Sequence, residues 1–198
     1  MSGDHSGSAG VLAARVRAVE ALLEQKGLVD VRELERAMEA FLARSSPATG
    51  ARVVARAWVD SGFRRRLLED ANAALPEVGA SMGGGLQEQR LEVVENTAQR
   101  HNVVVCTLCS CYPIALLGPS PTWYKSEGYR SRVVRDPRGV LREFGVELDP
   151  GRAVTVWDAS AETRYLVLPL RPEGTQDLDE AALAGLVTRN GMIGTALV

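Results

Sequence analysis

Cys106, Cys109 and Cys111 fall within six residues of one another in a 198-residue chain that has no other cysteine. The odd number and the short spacing do not suit an ordinary disulfide framework, so the three sulfurs are expected to act as a cluster. They follow Val103-Val104-Val105 directly, in Cys106-Thr107-Leu108-Cys109-Ser110-Cys111-Tyr112-Pro113. A strand should therefore run straight into a turn that aims three sulfurs at one point. Thiolates bind soft or borderline ions, and a bound ion lowers the sulfur pKa further. A structural zinc site calls for four protein ligands. The chain has only two histidines: His101 lies before the strand that delivers Cys106, and His5 lies near the N-terminus. An iron–sulfur cluster needs a fourth cysteine from a partner. The peptide nitrogens of Ser110 and Cys111 lie between the sulfurs in so tight a turn. A metal acidic enough to displace amide protons could take three sulfurs and two nitrogens and keep one position open. Buried free thiols filling a core are the bland alternative, which the clustering disfavours.

Around this cluster the composition is that of a globular chain, 45% hydrophobic and 24% charged. No apolar run approaches the roughly 18 residues of a membrane-spanning helix, so no membrane role is expected. Met1 to Gly10 lacks a basic segment followed by an apolar one, which predicts a cytoplasmic protein. The 23 basic residues are scattered against 25 acidic ones, so nucleic acid is not an expected partner.

The elements that must hold the turn are legible in outline. Leu12, Val16, Val19, Leu22 and Leu23 form one helical stripe that stops at Gly27. Asp30 and Glu33 have capping-box spacing ahead of a second amphipathic helix through Val31, Leu34, Met38, Phe41 and Leu42, ended by Ser45-Ser46-Pro47. Two further helices, hinged near Gly62, are expected from 51 to 75. The Gly83-Gly84-Gly85 run marks a change of texture to β-rich sequence. Strands are expected at 91–95, 102–105, 153–157 and 165–170, with helices at 122–127, at 137–144 behind an Asp136 cap, and at 177–188. The fold class is α+β: an N-terminal helical arm, residues 1–80, wrapping a partner subunit, then a layered α/β-sheet metal-binding domain, residues 81–198. Arg130, Arg132 and Arg135 alternate like one face of an extended segment and could salt-bridge to a partner or to the surroundings of the cysteines, solvated or structural arginines being the commoner case. Trp58, Trp123 and Trp157 are expected as core or interface anchors, His101 as a hydrogen-bonding residue, and Asp158 and Glu162 as ordinary surface or network acids.

The segment Val105 to Pro113 resembles the metal claw of the nitrile hydratase α subunit. The resemblance extends through Gly50-Ala51-Arg52-Val53-Val54-Ala55-Arg56-Ala57-Trp58, Val93-Val94-Glu95-Asn96-Thr97, Trp123-Tyr124-Lys125-Ser126, Tyr129 to Arg135 and Val156 to Pro169. It implies a metal held by the sulfurs of Cys106, Cys109 and Cys111 and the amide nitrogens of Ser110 and Cys111. It also implies Cys106 as thiolate, Cys109 as sulfinate and Cys111 as sulfenate, the last being catalytic. Thr107 resembles the cobalt type, hence a non-corrin Co(III), and Gln87 matches a glutamine near the metal pocket. The implied partners are a β subunit in a heterodimer or heterotetramer, a cobalt-insertion activator and a small-molecule nitrile, bulky aromatic or heterocyclic ones included, that becomes an amide. The claw-bearing subunit of thiocyanate hydrolase and a non-catalytic cobalt-binding protein are the alternatives. One departure bears on substrate: many cobalt-type relatives read Tyr-Pro-Trp-Pro where this chain has Tyr112-Pro113-Ile114-Ala115.

Overall fold

Short polar side chains set most of the helix starts in the computed structural model, which describes residues 5–83 and 89–198, with side chains from residue 10 onward. Helix α1 (His5–Gln25) ends at Gly27, whose φ of 65° favours glycine. Asp30 then accepts hydrogen bonds from the amides of Arg32 and Glu33 and opens α2 (Val31–Arg44). These two helices make up a first unit, Met1–Ala43, and α2 has no buried residue.

The second unit spans Arg44–Val198. Ser46 caps α3 (Pro47–Val59), Asp60 caps α4 (Ser61–Glu69), and Asp70 caps α5 (Ala71–Ala74), which runs into a 3-10 turn at Leu75–Val78. Strands β1 (Arg90–Glu95) and β2 (Arg100–Val105) follow, the second leading to the cysteines. Behind them come α6 (Ile114–Leu117), a 3-10 turn at Thr122–Lys125, α7 (Glu127–Val133) and α8 (Pro137–Glu143), the last capped by Asp136 as expected. Strands β3 (Ala153–Asp158) and β4 (Thr163–Leu168) precede α9 (Glu180–Leu186) and α10 (Arg189–Ile193). The fold is α+β with a helical N-terminal region. Among the described residues no helix is long and apolar enough to cross a membrane.

Two parallel pairs form the sheet structure, β1 with β4 and β2 with β3. Parallel neighbours need long crossovers, and α6 to α8 lie in the one between β2 and β3. The register is what matters for the site, since it places Val105 opposite Asp158. One apolar cluster joins the helices to the strands through Val53, Val54, Phe63, Leu67, Val103, Val105, Leu166 and Ile193. The expected boundary near residue 80 therefore lies inside the second unit. Three local expectations are corrected. Arg130 and Arg132 lie on helix α7, not on an extended segment; the helix expected at 122–127 is a 3-10 turn followed by α7; and α6 and α10 are additional helices.

His101 sits within β2, fully buried. Its Nε2–H donates to the Gly194 carbonyl at 2.7 Å, an oxygen that can only accept, which leaves Nδ1 facing Asn96 Nδ2 at 3.4 Å. Gly194 is required here, because a Cβ would lie 2.0 Å from the Asn102 carbonyl oxygen. Burial, and secondly the charge of Arg152, hold the His101 pKa below its ordinary 6.5. The unfolded chain thus takes up this proton at a higher pH than the folded one. The associated stability is fully present above about pH 6.5 and is lost as the pH falls toward the lowered folded value. Melting temperature followed from pH 7.5 to 5 should decline in the wild type and decline less in His101→Gln; parallel curves would contradict this.

Candidate metal centre

Strand β2 ends at Val105 and the chain turns at once through the three cysteines. Cys106 is buried, Cys109 exposed and Cys111 half-buried. The Sγ atoms of Cys106 and Cys109 lie 3.4 Å apart and those of Cys109 and Cys111 3.1 Å apart. All three fall within 4.8 Å of one another, so the turn does aim them at one point. The donor set fits a soft or borderline ion. Among the described residues no carboxylate or imidazole joins this group, and the ring of His101 is occupied elsewhere. In the chain, the peptide units of Ser110 and Cys111 lie between the Cys109 and Cys111 sulfurs.

Without an ion the thiols share protons unequally. Hydrogen bonding from Cys111, then from Cys106 and from the Ser110 amide, brings the Cys109 pKa down to about 7. Burial, reinforced by the neighbouring Cys109, pushes Cys111 up to about 12, with the Arg164 guanidinium opposing the rise. Arg164 is itself buried in β4. A metal would reverse the Cys111 preference by supplying the positive charge that burial withholds.

The turn is gripped from two sides. From β3, Asp158 accepts from the Thr107 amide at 2.9 Å and from the Thr107 hydroxyl at 2.6 Å. This reach follows from the register that sets Asp158 beside Val105, tied further by Ala159 N–H to the Val105 carbonyl at 2.7 Å. From the other side come residues 124–130. The Tyr129 hydroxyl donates to the Val104 carbonyl at 2.7 Å and the Tyr124 hydroxyl to the Cys111 carbonyl at 3.0 Å. Arg130 Nη2 donates to the carbonyls of Thr107 at 2.7 Å and Leu108 at 3.2 Å. Tyr124, Tyr129, Trp123 and Phe144 pack edge to face or tilted with centroids 4.7 to 6.2 Å apart, which fixes these donors.

The sequence left Asp158 among ordinary acids and did not single out Tyr124 or Tyr129 as claw contacts. Arg132, by contrast, pairs with Glu143, and Arg135 donates to its own segment at Ser131. Trp58 and Trp157 are anchors in the literal sense, donating to Pro169 O and Asn102 Oδ1. Gln87 lies outside the described residues.

The cysteine turn is exposed at its tip. Leu108 at its tip is 87% exposed and Ile114, three residues beyond Cys111, 37%. Cavities of about 260 Å³, beside Arg138 and Leu148, and about 400 Å³, beside Asp70 and Gln89, are lined by other residues.

The family model described as nitrile hydratase, alpha chain, matches residues 11–196. The chain is 50% identical over 186 residues to the low-molecular weight cobalt-containing nitrile hydratase subunit alpha of Rhodococcus rhodochrous, a match covering 94% of this chain and 88% of that one. It is 40% identical over 188 residues to the thiocyanate hydrolase subunit gamma of Thiobacillus thioparus, covering 91% and 77%. Among solved structures, a double mutant of the Fe-type nitrile hydratase from Comamonas testosteroni Ni1 superposes with a TM-score of 0.87 at 39% identity, over 98% of this chain and 92% of that chain.

Proposed function

The chain belongs to the nitrile hydratase alpha-chain family, and on that premise we propose that it is the claw-bearing α subunit of a cobalt nitrile hydratase that turns a nitrile into its amide. The observation that carries the reading is the convergence of Cys106, Cys109 and Cys111 within 4.8 Å at the end of β2. The three sulfurs with the Ser110 and Cys111 nitrogens would hold a non-corrin Co(III), which would supply Lewis acidity toward the nitrile.

The rest is work for the chain itself. Cys109, the exposed sulfur, is the sulfinate and Cys111 the sulfenate. A water held beside the Cys111 sulfenate gives a proton to it and attacks the nitrile carbon; where the sulfenate oxygen itself attacks, its S–O bond breaks as the amide leaves and a water oxygen replaces it on sulfur. Either way one water supplies the oxygen on carbon and the two protons on nitrogen, and the sulfenate is restored. The positive charge of Arg164 acts on Cys111 and favours its anionic form. Gln87 joins Cys111 as a pocket residue in this proposal. A β subunit covers the outward face of the claw and excludes bulk water, and an activator loads the cobalt. The apolar Leu108 and Ile114 at the rim suit an uncharged nitrile better than an anion such as thiocyanate.

The test is co-expression with a nitrile hydratase β subunit in cobalt medium, followed by assay on a nitrile panel with thiocyanate alongside. Amide formation is expected. Turnover of thiocyanate alone would replace this reading by a thiocyanate hydrolase, and a loaded complex inert toward both would make the chain a cobalt-binding protein.

Position 114 also predicts substrate size. Isoleucine in place of indole leaves room for several methylenes, each worth about 0.8 kcal/mol of apolar burial when filled. Bulky aromatic or heterocyclic nitriles should therefore be favoured in kcat/KM over acetonitrile or acrylonitrile, and Ile114→Trp should shift the ratio back toward the small ones. A wild-type preference for small nitriles that the substitution leaves unmoved would remove residue 114 from the pocket.

A further inference from the structure

We propose that Arg130 is a positioning residue for the metal centre, a brace that holds the middle of the cysteine turn in its metal-binding geometry before the ion arrives. The inference rests on the reading of the turn as a metal claw and assigns a role to a side chain outside the ligand set.

Each end of the turn is fixed by the fold. Cys106 is buried at the end of β2, between the Val105–Asp158 pairing and the Tyr129 contact to Val104. At the other end the Cys111 carbonyl is held by Tyr124, and Tyr112 and Pro113 are buried behind it. The middle has no such support, because Leu108 and Cys109 are exposed and pack against no core. What reaches the backbone there is Arg130. Its Nη2 donates to two successive carbonyls, Thr107 and Leu108, which orients the peptide units on both sides of Leu108. The second of those units contains the Cys109 amide, which points at Cys106 Sγ from 3.4 Å. Asp158 completes the hold by taking the amide and hydroxyl of Thr107, so every polar group of residue 107 is engaged.

A planar guanidinium suits this task, since it can address two acceptors from one rigid group, whereas an ammonium is a point charge on a flexible stem. Its placement carries a cost: Arg130 Nε is buried without a partner. Supports of this kind around metal ligands change affinity by roughly 10- to 100-fold when removed.

The experiment compares wild type, Arg130→Gln and Arg130→Lys, each co-expressed as the full chain with a nitrile hydratase β subunit at limiting cobalt. Cobalt per chain, the mass of the claw peptide and the melting temperature are measured. In Arg130→Gln, cobalt per chain should fall roughly 10-fold or more and the peptide should lack the added oxygens, while the melting temperature stays close to that of wild type. Arg130→Lys should recover part of the loading. Wild-type cobalt content and claw mass in Arg130→Gln would overturn the proposal. So would loading losses that merely follow melting temperature across the two variants. Should Arg130→Gln not fold, Arg130→Lys decides alone: a normally stable Lys variant with undiminished loading overturns the brace. A wild-type chain that takes up no cobalt overturns the claw reading itself, and the brace with it.

Discussion

Alanine at Cys106, Cys109 or Cys111 is expected to leave a folded chain that retains no cobalt and, in complex with a β subunit, hydrates no nitrile. The three sulfurs are the side-chain donors that converge at the turn, so each substitution removes a third of the soft ligand set. The loss is not shared equally by the fold. Cys109 is exposed, and Cys109→Ala should leave the melting temperature nearly unchanged. Cys106 is fully buried, so Cys106→Ala should also cost about 1 kcal/mol or more of stability through the vacated volume. Metal analysis beside a melting curve separates the two effects. Retained cobalt and turnover in any one of the variants would contradict a site built on all three sulfurs.

Deletion of residues 1–43 is expected to lower the yield of the complex with a β subunit far more than it lowers folding of the remainder. The remainder, Arg44–Val198, has its own core. The deleted part has little of one: α2 buries no residue, and Val16, Val19 and Leu22 on α1 and Leu34, Met38 and Leu42 on α2 are all exposed at helical spacing. Apolar stripes of that length call for a partner surface. Covering six such side chains at about 1.5 kcal/mol or more apiece gives on the order of 10 kcal/mol before the ordering costs of association. That is enough to decide whether a complex survives purification. We expect the β subunit to provide the cover. A truncated chain that co-purifies quantitatively with its partner would contradict this.

What could be read from the sequence divides along the distance between interacting residues. The cysteine turn was legible because its chemistry is local: six consecutive residues and the absence of any other cysteine. Caps were legible for the same reason, as Asp30 and Asp136 show. The supports of the turn were not, beyond Arg130 as one of three arginines that could reach the surroundings of the cysteines. Asp158 meets Thr107 across 51 positions, and Arg130 meets it across 23. Both meetings depend on a parallel register and a crossover that residue types alone do not specify. Helix α7 was misread because Arg130 and Arg132 alternate as in a strand, although Tyr129 and Val133, buried four apart on one face, carry the helical signal. Helix α10 was hidden by its shortness and by Gly191 and Gly194, the latter fixed by its approach to Asn102.

The most direct measurement is the metal content and claw-peptide mass of the active complex purified from cobalt-fed cells. The account predicts about one cobalt per chain, with three added oxygen atoms divided between Cys109 and Cys111 and Cys106 unmodified. Stoichiometric zinc in a fully active complex, or full activity with three unmodified cysteines, would contradict it.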